Sequence, residues 1–113
     1  MGNKTRKICI INYKGGTGKT CTVVNLAHGL AINNKRVLIV DTDPQGSSGY
    51  HLGVHSQYSL YDLLVGNLSC KDCIVRARDN LDIIPSNERL FPAEMALTKM
   101  PNREMILQQK LSA

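Results

Sequence analysis

The segment Lys14-Gly15-Gly16-Thr17-Gly18-Lys19-Thr20 constrains this chain more than any other part of it. It follows a β-branched apolar run, Ile8-Cys9-Ile10-Ile11-Asn12. After it, Val23, Ala27, Leu30 and Ala31 recur at helical spacing from about Lys19 to Ile32. Strand, glycine loop and helix in that order leave few arrangements open. The glycines let the backbone curl so that successive N–H groups point inward and form an anion-binding nest. The positive end of the helix stands behind that nest, which suits a phosphate chain. Lys19 is placed to reach terminal phosphates, and the Thr20 hydroxyl to ligate Mg²⁺. The same residues outside such a setting would be only a loop.

The match to the general phosphate-loop pattern departs at one position. That pattern has glycine six residues before the lysine, where this chain has Tyr13, and a second lysine, Lys14, follows. Two ammonium groups around one triphosphate make sense if one answers charge that develops during phosphoryl transfer. By spacing alone, Lys14 could equally be a solvated loop cation.

Asn33-Asn34 stops the helix, and Val37-Leu38-Ile39-Val40 reads as a second buried strand, ending in Asp41-Thr42-Asp43-Pro44-Gln45-Gly46. The whole is a β-α-β unit. Ligands of doubly wound sheets bind outside the carboxyl ends of the strands, so these two carboxylates are expected to face the phosphates. A carboxylate there can hold a metal-bound water or orient the water that attacks a γ-phosphate. The competing reading is an aspartate that merely caps a turn, which Asp-Pro favours.

Beyond Pro44, the residues Gly46, Ser47, Ser48, Gly49 and Gly53 mark a long irregular loop. Ser59 is positioned to cap a short helix holding Leu60, Leu63 and Leu64, and Ser69 to open another that carries Cys70 and Cys73. Leu81-Asp82-Ile83-Ile84 before Pro85 reads as a third strand. Pro92 opens a further helix, and Asn102 caps a last one that runs to Ala113. One domain, or part of one, accounts for 113 residues.

Composition narrows the class by exclusion. With 42% hydrophobic and 20% charged residues the chain reads as globular. It has no run approaching a membrane span and no apolar leader, and Arg6 stands where a myristoylation signal needs Ser or Thr, so a cytoplasmic protein with no membrane partner is expected. The net charge of +5 is unevenly spread: seven Lys/Arg and no acid occur through Val40, seven basic and nine acidic residues thereafter. Since Lys14 and Lys19 belong to the loop, the remaining excess reads as solvated surface rather than a DNA groove. Cys70 and Cys73 have no second pair to complete a zinc site and read as helix neighbours. His51 and His55 lie in a Gly/Ser-rich stretch and are assigned no metal.

Lys14 to Thr20 resembles the deviant Walker A box of the ParA/Soj/MinD class of P-loop ATPases. Asp41-Thr42-Asp43-Pro44-Gln45-Gly46 resembles the switch segment of the ParA/Soj partition branch. Ser59 to Leu64, Leu81 to Asn87, and Glu94 before Leu97 resemble that branch too, so the likeness runs from Lys7 onward. It implies an α/β P-loop NTPase fold with a doubly wound, mostly parallel sheet and flanking helices. Residues 1–113 would then be the N-terminal part of a single ATP-binding domain, incomplete because the Walker B strand and the C-terminal half are absent. The function implied is ATP binding and hydrolysis by an ATP-dependent homodimer that partitions chromosomes or plasmids. Its partners would be non-specific DNA, through regions missing here, and a ParB-type centromere-binding protein, on the nucleoid in the cytoplasm. Gly15, Gly16, Thr17, Gly18 and Lys19 would cradle the phosphates, and Thr20 with Asp41 would serve Mg²⁺. Asp43 would orient the attacking water, and Lys14 would reach the phosphates of the opposite subunit.

Two departures accompany the likeness. Cys21 stands where the family usually has Thr, so a hydroxyl contact to the α-phosphate becomes a weaker thiol contact. The Walker B segment should begin shortly after Leu111, and the chain stops first. Rival readings are a MinD-like ATPase of the same class, disfavoured by Pro44-Gln45-Gly46, and a nucleotide-binding regulator that does not hydrolyse. A zinc or redox module on Cys70 and Cys73 is a third. In this class the Walker B strand lies between the phosphate-loop strand and the next one, and unpaired buried backbone groups cost about 1–3 kcal/mol each. Residues 1–113 alone are therefore expected to show weak or no cooperative unfolding and negligible Mg-ATP hydrolysis. A sharp thermal transition accompanied by turnover would overturn that expectation.

Overall fold

The computed structural model describes residues 6–10, 18–43, 45–66, 68–101 and 105–112. Helix α1 spans Lys19–Ile32, the extent its apolar spacing predicts. Its stop is local chemistry. Asn34 takes a left-handed conformation at φ 65°, the Asn34 N–H donates to the Ala31 carbonyl at 3.1 Å, and the Lys35 N–H to the Leu30 carbonyl at 3.0 Å. This paired closure satisfies carbonyls that the end of a helix otherwise leaves unbonded.

Strand β1 covers Val37–Val40, β2 Val75–Arg78 and β3 Leu81–Ile84, arranged in the order β1-β3-β2. β1 and β3 are parallel, with Val37 opposite Leu81 and Val40 opposite Ile84. β2 and β3 form an antiparallel hairpin with an irregularity between Arg76 and Arg78. The sheet is therefore mixed. β2 escapes a sequence reading because its arginines, Arg76 and Arg78, break the apolar run and lie exposed between half-buried Val75 and Ala77. Asn80, at φ 62°, turns the hairpin. Its carbonyl accepts the Val37 N–H at 2.8 Å and its side-chain amide donates to the Ala31 carbonyl at 3.3 Å. One turn residue thus ties hairpin, β1 and α1 together.

The strand expected at Ile8–Asn12 is not found where it is described. Ile8, Cys9 and Ile10 lie outside the sheet, with Ile8 62% exposed, while Ile11 and Asn12 fall outside the described residues. No further strand pairs with β1 among the described residues. β1 is accordingly an edge strand among the described residues.

Helices cover both faces of the sheet. Ala27 and Ala31 of α1 pack on Ile39, Leu81 and Ile83, joined by Leu52. On the opposite face Leu60, Leu63, Cys73, Ile84, Leu90 and Ala93 form a second cluster. Helix α3 (Leu60–Leu64) and helix α4 (Cys70–Cys73) start as expected at Ser59 and Ser69, each closed by a capping box with Asp62 or Asp72. Helix α2 (Ser47–His51) occupies what the sequence presents as irregular loop. Helix α5 (Leu90–Thr98) begins two residues before Pro92, and α6 spans Ile106–Ser112, its expected cap Asn102 and Ala113 lying outside the described residues. Cys73 is wholly buried, and burial raises both the Cys70 and Cys73 thiols above their ordinary value of 9.0. Among the described residues no cluster of His, Cys, Asp or Glu could hold a metal by itself, and no helix is long and apolar enough to cross a membrane.

Leu63, with no exposed surface, joins α3 to the second cluster. Leu63→Ala is expected to cost about 2–5 kcal/mol in the full-length protein, measured by denaturant unfolding. A loss below about 1 kcal/mol would mean that the cluster does not pack as described.

Candidate functional site

The first turn of α1 and the residues that leave β1 meet at one place. Gly18 caps α1 at φ 87°, a left-handed conformation that side chains resist, and its carbonyl accepts the Thr22 N–H at 2.9 Å. Space is not the constraint at Gly18, since a Cβ there would meet nothing within 4 Å. Lys19, next in the chain, brings its Nζ to 3.6 Å from Asp43 Oδ2, both side chains about one-third exposed. Thr20 is half-buried in the same turn. Cys21 is exposed, and its Sγ accepts a hydrogen bond from the Asn25 amide at 3.2 Å.

Asp41 is 6% exposed, a buried carboxylate at the end of β1. Its Oδ1 accepts the Asp43 N–H at 3.0 Å, while its Oδ2 is buried with no hydrogen-bond partner among the described residues. Burial pushes the Asp41 carboxyl above its ordinary 3.8, against the opposing pull of the Asp43 and Ser48 backbone N–H groups; Asp43's charge adds to the rise and Lys19's opposes it. Asp43 is held in turn: its Oδ1 accepts the Gln45 N–H at 3.0 Å and its carbonyl the Gly46 N–H at 2.9 Å. Each carboxylate thus commits one oxygen to the backbone and leaves the other. Asp43 Oδ2 is turned to Lys19, and Asp41 Oδ2 is an orphaned acceptor.

An orphaned, buried carboxylate oxygen is what a divalent cation or its bound water satisfies. Mg²⁺ takes few ligands from the protein and the rest from water and phosphate. The orphaned Asp41 oxygen fits that pattern as one protein ligand, and Thr20, next to Lys19 in the first turn of α1, is the hydroxyl the sequence offers as a second.

The structure therefore joins Lys19, Asp41 and Asp43, with Gly18 and Thr20 flanking Lys19 in the chain, whereas Lys14, Gly15, Gly16, Thr17 and Pro44 lie outside the described residues. A sequence reading misses what stands behind the turn. Gly46, at φ 66°, packs so closely on the loop after β3 that a Cβ would run into the Ser86 carbonyl oxygen. Pro85 and Ser86 are buried there, and the Pro85 carbonyl accepts the Leu60 N–H at 2.7 Å. A cavity of about 670 Å³ opens beside them, lined by Gln45, Gly46, Tyr50, His55, Ser86 and Glu88 among others. The only local signals were the glycine ending Asp-x-Asp-Pro-Gln-Gly and the proline ending β3.

Residues 5–113 match the AAA domain family. The chain is 43% identical over 110 residues to the sporulation initiation inhibitor protein Soj of Bacillus subtilis (strain 168), covering 94% of this chain and 44% of that protein. It is 37% identical over 115 residues to the chromosome partitioning protein ParA of Caulobacter vibrioides (strain NA1000 / CB15N), covering 98% and 43%. The fold superposes on the crystal structure of cobyrinic acid a,c-diamide synthase from Mycobacterium smegmatis with bound ATP analog and magnesium. That likeness has a TM-score of 0.84 at 33% identity and covers 90% of this chain and 43% of the synthase. The chain thus spans less than half the length of each.

Two outcomes follow from this geometry. Gly46→Ala adds both left-handed strain and a clash with backbone, so the full-length protein should lose about 1–3 kcal/mol in denaturant unfolding. Asp41 gives up its proton less readily folded than unfolded. Its unfavourable contribution to stability therefore develops as pH rises from 3.8 through the raised value and is complete above it. Without Mg²⁺ or nucleotide, wild type should lose stability relative to Asp41→Asn across that window, read from thermal melts at a series of pH values. A difference that does not vary with pH would refute the buried-carboxylate assignment.

Proposed function

Because the chain belongs to the AAA domain family as a ParA/Soj-type P-loop ATPase, we propose that it binds Mg-ATP. As part of a longer protein it would hydrolyse that ATP to partition DNA. The observation that carries this reading is the convergence of Lys19, Asp43 and the orphaned Asp41 oxygen at the N-terminus of α1. The relatives named as partitioning proteins support the role, and the structural likeness to a protein crystallised with an ATP analog and magnesium supports the nucleotide. The same scaffold also serves a synthase. Partition is favoured by the higher sequence likeness to Soj and by Pro44-Gln45-Gly46.

The mechanism follows from what each side chain can do. Gly15, Gly16, Thr17 and Gly18 would offer backbone N–H groups to the phosphates, ahead of the positive end of α1. Cys21 offers the α-phosphate a thiol. Thr20 and Asp41 would hold Mg²⁺, which when bound would neutralise charge on the phosphate oxygens. Lys19 without nucleotide leans on Asp43. Phosphates compete for Lys19, and its departure frees Asp43 Oδ2 to accept a hydrogen bond from the attacking water. Asp43 is already aimed by its bonds to Gln45 and Gly46, so little reorganisation is needed. Lys14 answers the charge that develops in transfer, from the opposite subunit of an ATP-dependent homodimer. Non-specific DNA on the nucleoid in the cytoplasm and a ParB-type centromere-binding protein complete the cycle.

In the full-length protein Asp43→Ala is expected to retain ATP binding and to lose turnover by roughly 10²-fold or more. Equal turnover at saturating ATP would remove Asp43 from this role. Lys14→Ala should cost far more turnover than affinity, and mixing it with Asp43→Ala protein should restore part of the activity. If no pairing complements, Lys14 acts only within its own subunit.

A further inference from the structure

Two ion pairs occur among the described residues. One is Lys19–Asp43 at the site; the other, Arg89–Asp62, lies on α3 and the loop that follows β3. Arg89 Nη2 lies 2.7 Å from Asp62 Oδ2, with Asp62 largely shielded and Arg89 half exposed. The guanidinium also stands 5.1 Å from the centre of the Tyr61 ring, so it is held by a carboxylate and an aromatic face together. Asp62 is itself fixed, because the same oxygen accepts the Ser59 N–H at 2.8 Å in the cap of α3.

These contacts bind one end of a short loop. Arg89 ends it, its own N–H bonded to Asn87 Oδ1 at 3.0 Å. Pro85 begins it, its carbonyl taking the Leu60 N–H. Both ends of the loop are therefore fastened to the first turn of α3, and between them lies Ser86, against whose carbonyl Gly46 is packed. Gly46 closes the turn whose other members hold Asp43. A continuous line of contacts thus runs from Arg89 to the carboxylate proposed to orient water.

We propose that Arg89 is a positioning residue: by clasping Asp62 and Tyr61 it fixes the Ser86 carbonyl as the backstop of the Asp41–Gly46 turn, and so sets the Asp43 carboxylate. The clasp acts on the turn whether or not nucleotide is bound. Its consequence for turnover rests on the ATPase reading above. Release of the loop lets Gly46 move away from Ser86, and Asp43 then samples orientations that do not serve the water. Nucleotide binding, which depends on Lys19 and the glycine loop, is left intact.

The experiment compares full-length wild type with Arg89→Ala, Arg89→Lys, Asp62→Asn and the double variant Arg89→Ala/Asp62→Asn. Amide hydrogen exchange is measured at Gln45 and Gly46 and, as a control, at Ile83 in β3. Mg-ATP turnover and nucleotide affinity are measured alongside. In Arg89→Ala the Gln45 and Gly46 amides should exchange roughly tenfold faster while Ile83 stays unchanged. kcat should fall by roughly tenfold with affinity preserved, Arg89→Lys should recover most of both, and the double variant should be no worse than Arg89→Ala. Unchanged exchange at Gly46 overturns the proposal. So does acceleration at Ile83 to the same degree, which would make Arg89 a general stabiliser; if Arg89→Ala does not fold, Arg89→Lys and Asp62→Asn are judged by the same exchange criterion. A wild type that binds or hydrolyses no ATP refutes the functional reading instead, and the exchange comparison still decides the clasp.

Discussion

The parallel pairing of β1 with β3 is the interaction on which the rest depends. Parallel strands end at the same edge of a sheet, so segments more than forty residues apart in the chain leave it side by side. The last rung, from the Asp41 N–H to the Ile84 carbonyl at 3.2 Å, sets the acidic turn next to Pro85 and Ser86. α1, packed over the same strands through its alanines, delivers Lys19 to that edge. With any other register, Gly46 would not face the Ser86 carbonyl, and Asp41 would not be buried.

What could be read from the sequence was what short-range chemistry decides. Asn33-Asn34 ends α1 because asparagine tolerates a left-handed turn, and Ser59 and Ser69 open helices because serine three residues before an aspartate closes a capping box. The phosphate-loop spacing and the acidic strand end also lie within single segments. What stayed hidden is held by contacts between segments rather than within one. β2 is a strand because β3 pairs with it, not because Val75-Arg76-Ala77-Arg78 demands one. α2 forms where glycine and serine argue for loop, with Gly46 braced on Ser86 at its start. The pair Arg89–Asp62 spans 27 positions with nothing in either neighbourhood to announce it.

The site is assembled against the grain of folding. Among the described residues, a buried carboxylate with one unsatisfied oxygen, a second orphaned oxygen on Ser86 and a left-handed glycine pressed against backbone sit close to each other in space. Burying such groups lowers stability, and proteins tolerate them where chemistry needs a pre-set, poorly solvated acceptor. The apolar clusters on either face supply the compensation. The division is clear in space: the hydrophobic packing belongs to the faces of the sheet and the frustration to its carboxyl edge.

The four cysteines acquire a use from their burial. Cys9 and Cys21 are open to solvent, Cys70 is partly covered and Cys73 is sealed within the second cluster. Thiolate is the form that reacts with an alkylating reagent, and burial both hides the Cys73 sulfur and holds its proton. The chain therefore carries its own graded clock: two thiols that record exposure to reagent from the start, and one that records only the moments when α3, α4 and α5 part from the sheet.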